Sequence, residues 1–523
     1  MQRDNYVYLS WQEDLPIFLS LITLLLSILF LIYKSFSGTK QVNLPPSPPR
    51  LPIIGNLHQI GEPVDRSLRD LSQKYGPLML LHFGSVPTVV VSSPDMVKEI
   101  AKKHDVVFSD RFNTRASDIL FYGGKDIVFA SYGNNWRQAR KLCVQEMLSS
   151  KRVLSFQSIR EEEVSSLVSK IRQVCLNGDD GAVNMCEMLI RTSNNIMSRC
   201  ILGRCYSCEE KEYQEEEGNK VIFCETLMKK VITQLTAFRV GDFFPCFKWV
   251  EEVRGFMRSL KFTLGELDTF YNQVFEERKA MKASENGVKD FVDILLQLQK
   301  DNMFNMDLTD DRLKAIVQNM FFGGIDTTST TSEWIMAELM RNPRVMKKTQ
   351  EEVRRIMVDK GRVDINELDK LDYFKCVVKE TLRLHPPVPL LVPRKTAEVV
   401  QIGDGRYTIA AGTKVIINAW AIQRDPNSWD QPDEFIPERF ENSPVDYYKG
   451  GQEYFHFIPF GFGRRKCPGI MFGTVAVEYL MANLLYWFDW KLNINEDVDM
   501  SEAYGITVGL KVPLFLVPIP YSP

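Results

Sequence analysis

The residues best suited to chemistry in this chain gather around Cys467. The stretch Phe455-His456-Phe457-Ile458-Pro459-Phe460-Gly461-Phe462-Gly463-Arg464-Arg465-Lys466-Cys467-Pro468-Gly469 sets glycines, prolines and a cationic triplet around one cysteine, a composition that predicts an ordered loop. The residues 470–488 that follow are apolar and helix-permissive, which places the Cys467 thiol just before a helix N-terminus. A thiol there, with arginines beside it, is expected to have a depressed pKa and to be held as thiolate by the helix dipole and free backbone N–H groups. Thiolate is the form that ligates a metal. A buried structural cysteine in a Gly-rich turn is the plainer alternative.

A second group lies between Asp307 and Asn342. Leu313, Ile316, Val317, Met320 and Phe321 recur at helical spacing and predict a helix with one buried face, ended by Pro343. In its middle sit Gly323-Gly324 and then Asp326-Thr327-Thr328-Ser329-Thr330-Thr331. This run weakens helix propensity where a core helix should be strongest, and it predicts a kink. A carboxylate and a hydroxyl in an apolar helix can hold water and relay protons, the role expected of Asp326 and Thr327. A packing hydroxyl is the plain reading of Thr327.

Glu380-x-x-Arg383 falls in a helix predicted over about Leu371 to His385 and stopped by Pro386-Pro387, with both charges on one side. A surface ion pair is the bland interpretation. Cys200-x4-Cys205-x2-Cys208 imitates an iron–sulfur spacing, but its charged, helix-forming neighbours argue for accident. Neither G-x-G-x-x-G nor G-x-x-x-x-G-K-[ST] occurs, so no nucleotide or flavin site is evident and electrons for redox chemistry must come from another protein.

The pattern Phe460-x-x-Gly463-x-Arg465-x-Cys467-x-Gly469 resembles the haem-binding signature of the cytochrome P-450 superfamily, the haem-thiolate monooxygenases. Gly323-Gly324-Ile325-Asp326-Thr327-Thr328 resembles its oxygen-activation motif, with glycine where alanine is commoner. The resemblance covers nearly the whole chain after the N-terminal apolar run. It is closest to plant microsomal enzymes of the branch containing terpenoid, coumarin and alkaloid hydroxylases. It implies a mainly α fold with small β-sheets, the cytochrome P-450 fold, preceded by one N-terminal transmembrane helix. It also implies haem b (iron protoporphyrin IX) with Cys467 as axial thiolate and metal ligand, Phe460 and Gly461 beside the ring, and Trp136, Arg140, Arg394 and Arg465 toward the propionates. Glu380, Arg383 and Arg439 are implied to form a buried triad behind the haem loop. Phe121, Ile325, Leu390, Leu391, Val392, Ile506 and Thr507 are implied to face substrate.

The reaction that follows from the resemblance is insertion of one oxygen atom of O2 into a hydrophobic plant specialised metabolite, a terpenoid favoured over a coumarin, alkaloid or other phenolic. Electrons would come from NADPH through NADPH-cytochrome P-450 reductase, with cytochrome b5 as an auxiliary partner. Arg137, Lys141, Lys151, Arg152, Arg464, Arg465 and Lys466 would form a cationic face that steers this acidic partner. The Asp-Thr pair favours monooxygenation over a haem-thiolate isomerase or dehydratase that needs no reductase. A non-catalytic membrane-anchored haem protein is the alternative outside enzymes.

The elements that must position these groups are legible at coarse grain. With 523 residues, 45% apolar and 25% charged, the chain is large and well cored, and a net charge of −3 argues against nucleic-acid binding. Ten cysteines without framework spacing fit reduced thiols facing cytosol. Leu15 to Tyr33 runs without charge and predicts a membrane-spanning helix of ~28 Å. Acidic residues before it and basic residues after it put the N-terminus in the lumen and the catalytic domain in cytosol, single-pass, which the resemblance assigns to the endoplasmic reticulum membrane. The expected units are residues 1–40 as anchor, 41–52 as a stiff proline hinge and 53–523 as the catalytic domain. Leu78 to Phe83 and Thr88 to Ser92 predict a hairpin, and a helix follows from Ser93 with Pro94 in its first turn. Residues 113–129 predict an irregular loop, and Trp136-Arg137-Gln138-Ala139-Arg140 opens a helix.

Overall fold

The computed structural model describes residues 19–28, 30, 43–176, 181–204, 227–237, 239–280, 289–301, 306–493 and 497–522. Of the uncharged N-terminal run it describes the apolar helix Leu19–Ile28, whose leucines are exposed. Apart from Phe30, the rest of Leu15 to Tyr33, together with Cys205, Cys208 and the acidic run Glu209 to Glu217, lies outside the described residues. The proline run differs from a free spacer. Prolines lack N–H groups but keep their carbonyls, and the body takes these up: Leu80 N–H donates to Pro46 O at 2.8 Å and Gln59 Nε2 to Pro49 O at 2.8 Å. Residues 43–50 are thereby clamped onto the domain.

Beyond them come α1 (Val64–Tyr75) and the hairpin β1 (Leu78–Phe83) and β2 (Val86–Val91), paired antiparallel with Phe83 opposite Val86. The turn is therefore the two residues Gly84 and Ser85, shorter than the predicted four, because Val86 and Pro87 join the second strand. Ser93 caps α2 (Pro94–Lys103), its Oγ accepting from Met96 N–H. β3 (Asp110–Arg111), β4 (Arg394–Lys395) and β5 (Lys414–Ile417) complete a five-stranded sheet of order β1-β2-β5-β4-β3. The segment expected to be irregular contains a short helix, α3 (Arg115–Leu120), held by a capping box between Thr114 and Ser117.

Helices make up the body around these strands. α4 (Asn134–Leu142), α5 (Gln157–Leu176), α6 (Met185–Leu202), α7 (Phe256–Ala280), α8 (Asp310–Gly324), α9 (Asp326–Arg341), α10 (Asp372–Leu384) and α11 (Ile470–Trp487) follow in order. α9 is the hub, packing on α6, α10 and α11. α11 is apolar enough to span a membrane, but it is mostly buried and is the core helix. The helix expected to bury one face does more: residues 313–321 are buried without interruption, Lys314, Gln318 and Asn319 included. Over that stretch no face meets bulk solvent, so polar groups are buried on what the helical spacing marked as its outer side.

Candidate active site

The predicted kink is present as a break between α8 and α9 at Ile325, with φ −83° and ψ −67°. Hydroxyls bond back along the break and the turn after it: Thr327 Oγ1 donates to Gly323 O at 2.7 Å, Thr331 Oγ1 to Thr327 O at 2.7 Å, and Ser332 Oγ to Thr328 O at 3.0 Å. Gly323 faces open space, and a Cβ there would meet nothing within 4 Å. Glycine in place of alanine thus widens the cavity here without relieving any clash.

On the other side, residues 455–469 form the expected loop ahead of α11. Gly463 adopts φ +62°, and a Cβ on it would stand 2.2 Å from Asp105 Oδ1, the carboxylate that accepts the Arg464 N–H. Cys467 Sγ accepts one backbone bond, from Gly469 N–H at 3.4 Å. Burial pushes the Cys467 thiol up, against the opposing effects of Gly469 N–H, Arg140 and Lys466. The direction is opposite to the depression expected at a helix N-terminus, because desolvation outweighs one N–H and two nearby cations. A metal bound at the sulfur deprotonates a thiol outright.

A cavity of about 740 Å3 reaches from Cys467, Phe460 and Gly461 to Gly323, Asp326 and Thr327. Arg140, Arg394 and Arg465 line it as expected, joined by Arg111, which the sequence did not single out. Arg465 donates to Ser109 O at 2.7 Å and Ala130 O at 2.5 Å, Arg394 to Phe462 O at 2.8 Å, Arg111 to Val392 O at 2.7 Å and Arg140 to Lys466 O. Burial, then mutual repulsion, pushes Arg465 down to about 9, and burial takes Arg394 to about 10. Guanidinia held so close in an enclosed site repel one another, and a ligand with two carboxylates relieves that repulsion. A cysteine thiol on one wall, a cationic edge and a broken helix opposite thus fit haem, with Cys467 placed to hold its iron and the arginines its propionates.

Trp136 departs from expectation. Its Nε1 donates to Ile127 O at 3.0 Å, it does not line the cavity, and its ring lies 4.3 Å from the Arg465 guanidinium. Of the substrate-facing residues, Leu390, Leu391, Val392, Ile506 and Thr507 line the cavity. Phe121 does not; it is fully buried behind Phe129 and Phe322, at ring distances of 4.9 and 5.9 Å, and those two phenylalanines form the wall. Ile325 turns the other way at the helix break, into a small separate cavity with Lys229 and Gln318, while Asp326 borders both cavities. Burial raises the Asp326 carboxyl, partly opposed by Lys229. Asn319, unnoticed in the sequence, accepts Ile127 N–H at 2.8 Å and donates to Asp126 at 3.2 Å, pinning the loop that carries Phe129.

Glu380, Arg383 and Arg439 meet as the resemblance implied, buried rather than at the surface: Arg383 Nε and Nη2 reach Glu380 at 2.7 and 2.8 Å, and Arg439 Nε reaches it at 2.9 Å. The cationic face is smaller than expected. Arg465 and Lys466 are buried, Lys466 donating to the carbonyls of Tyr448 and Gly450, and only Arg464 of the triplet points outward. Arg137, Lys141 and Lys151 are exposed.

The Cytochrome P450 family model matches residues 45–517. The chain is 50% identical over 505 residues to a phenylacetaldehyde oxime monooxygenase of Prunus mume, covering 95% of this chain and 93% of that one. It is 48% identical over 470 residues to cytochrome P450 71A1 of Persea americana, covering 88% and 91%. A solved zebra fish cytochrome P450 with progesterone matches at TM-score 0.72 and 24% identity, over 88% of this chain and 100% of that one, a likeness of fold alone. Fold and site together define a thiolate-ligated haem monooxygenase. The chain belongs to the cytochrome P450 family, with relatives among plant enzymes of that family.

Proposed function

We propose that this monooxygenase oxidises a small hydrophobic plant metabolite, aromatic or terpenoid, using electrons passed from NADPH by a flavoprotein reductase, with cytochrome b5 as a second donor. It is anchored in the endoplasmic reticulum membrane by its N-terminal apolar helix, with the N-terminus lumenal and the catalytic domain cytosolic. The observation that carries this reading is that Asp326 and Thr327 border the same apolar-walled cavity as Cys467. The relative named for phenylacetaldehyde oxime supports an aromatic substrate class.

When bound, the haem supplies oxygen activation at its iron. The chain's residues do the rest. Cys467 donates its sulfur as ligand, and Arg140, Arg394 and Arg465 neutralise the propionates. Leu390, Leu391, Phe129 and Phe322 exclude water and hold the apolar body of the substrate. Thr327 Oγ1, fixed by its bond to Gly323 O, keeps its lone pairs free for a water, and Asp326 bridges that water to the small cavity behind the helix, which Lys229 and Gln318 also line. The raised Asp326 carboxyl is suited to giving and retaking a proton.

The test is turnover of a plant metabolite panel by full-length protein with reductase, NADPH and 18O2. Products carrying one labelled oxygen, formed only with all three present, support the proposal. Product formed without NADPH, or without label, moves the assignment to an isomerase or dehydratase, and haem binding without any turnover moves it to a non-catalytic haem protein.

A further inference from the structure

We propose that Lys414 is a ligand-recognition residue, the cationic anchor in the cavity for a substrate that carries a carboxylate on an apolar body; this rests on the cavity being the substrate site. In the sheet, Arg394 stands opposite Val415 and Lys395 opposite Lys414, so Lys414 projects from the face away from Arg394 and the cationic edge. That face is apolar, built from Met79, Leu81, Val90 and Ile416 with Phe243 and Leu390 packed on it. Lys414 borders the cavity there, with its Nζ 4.9 Å from the Phe112 ring centroid, 5.9 Å from Phe243 and 6.0 Å from Phe83.

The other cavity cations are already engaged: Arg111, Arg140, Arg394 and Arg465 all donate to main-chain carbonyls. Its strand neighbour Lys395 pairs with Asp110 at 3.3 Å. Among the described residues, no acceptor lies within hydrogen-bond distance of Lys414 Nζ, and the acid that faces it, Asp242, pairs instead with Arg239 at 3.4 Å. An ammonium among aromatic rings gains from their faces but keeps its donors unmet. Burial pushes Lys414 down to about 8, which leaves it charged at neutral pH. A carboxylate docking there completes a charge-assisted bond where water is scarce, while the rest of the ligand lies along Leu390 and Phe112 toward Gly323 and Thr327. A neutral ligand of the same length lacks that bond.

The experiment uses the full-length haem-loaded protein and two probes of one length, decanoic acid and 1-decanol, titrated by the spin-state shift of the Soret band. The parent should bind decanoate about tenfold or more tightly than decanol. Lys414→Met should erase that preference by weakening decanoate alone, and Lys414→Arg should keep it. The reduced carbon monoxide spectrum checks each variant for an intact site, and Lys414→Gln repeats the measurement if Lys414→Met fails that check. An unchanged ratio in Lys414→Met, or no preference in the parent, overturns the proposal. Loss of the haem spectrum in both Met and Gln variants, with Lys414→Arg normal, assigns the lysine to the haem instead and also overturns it. If neither probe shifts the parent spectrum, the cavity is not the substrate site, and the reading beneath the proposal fails with it.

Discussion

Replacing Glu380 with alanine tests how the fold holds the loop that carries Cys467. Glu380 and Arg383 are wholly buried and lie one turn apart on α10. The carboxylate accepts Arg383 Nε and Nη2 at 2.7 and 2.8 Å, and its Oε1 also accepts Arg439 Nε and Ile436 N–H, each at 2.9 Å. Arg383 extends the network through Nη1 to Gln423 O at 3.0 Å and Pro432 O at 2.6 Å, and through Nη2 to Glu434 O at 3.0 Å. Gln423 Oε1 then accepts Ile458 N–H at 2.8 Å, two residues ahead of Phe460. Removing one partner of such a buried pair leaves an uncompensated guanidinium, at a cost of ~3–5 kcal/mol. Against a total stability of ~5–15 kcal/mol, that is a large share. Urea unfolding of the holoenzyme should show the loss, and mild heating should release haem from Glu380→Ala before the parent. Glu380→Gln, which keeps one oxygen to accept from Arg439 and Ile436, should lose less. An unfolding free energy for Glu380→Ala within ~1 kcal/mol of the parent would refute the reasoning, since no buried charge could then have been stranded.

Cys467→Ser should abolish the strongly red-shifted Soret band of the reduced carbon monoxide complex, and persistence of that band would move the ligand elsewhere. Thr327→Ala should leave NADPH consumption largely intact but cut product per NADPH at least several-fold, with peroxide appearing in its place; equal coupling in parent and variant would reduce Thr327 to a packing residue. Glu478, buried on α11, is pushed up to about 7 from its ordinary 4.5 by burial, with Lys375 opposing. A raised folded pKa means that the folded state holds the proton more tightly, so this stability is fully present below about pH 4.5 and is lost as pH rises to about 7. Moving from pH 5 to pH 8 should therefore cost up to ~3 kcal/mol in urea melts, and Glu478→Gln should flatten that slope; parallel slopes in the two proteins would dismiss it. Deleting residues 1–42 should give a soluble, haem-binding protein, because the clamped prolines stay with the body, whereas a cut after Pro52 should cost stability as measured by thermal unfolding.

What was legible in the sequence was what local spacing determines. Cys467 before an apolar helix, the Gly-Gly and hydroxyl run that breaks α8 from α9, and Glu380 three residues from Arg383 all act within one element or one loop, so their neighbours in sequence are their neighbours in space. Residues whose roles depend on packing between distant segments were not legible. Phe121 and Phe129 look alike in an aromatic-rich loop, and only their stacking against Phe322 decides that Phe129 is the wall and Phe121 its backing. Ile325 was assigned to the substrate side by resemblance, but the break that the same motif predicts rotates it out of the cavity. Arg465 and Lys466 read as surface charge beside Arg464, yet their partners are carbonyls up to 356 positions away, which no window along the chain can show. Lys414 gave no signal, since a single lysine in a strand ordinarily points to water.

The loop from Asp126 to Ala130 joins the wall of the cavity to its cationic edge. Its residues Ile127, Val128 and Phe129 line the cavity. The same backbone serves the cationic edge: Ile127 O accepts Trp136 Nε1 at 3.0 Å and Arg465 Nη1 at 3.4 Å, Val128 O accepts Arg111 Nε at 2.8 Å, and Ala130 O accepts Arg465 Nη2 at 2.5 Å. Its position is set from α8, where Asn319 Oδ1 accepts the N–H groups of Ile127 and Val128 at 2.8 and 3.2 Å. Asp126, held by Asn319 Nδ2, closes the turn by accepting Val128 N–H at 3.0 Å and Phe129 N–H at 2.8 Å. One short segment is thus both wall and bracket, so a ligand that displaces Phe129 must also move the carbonyls that aim Arg465. α8, which supplies the residue that fixes the segment, ends at the break from which α9 carries Asp326 and Thr327. Cavity shape, haem-edge charge and the proton-bearing break therefore cannot be altered independently, because all three hang on the stretch of α8 between Asn319 and Gly324.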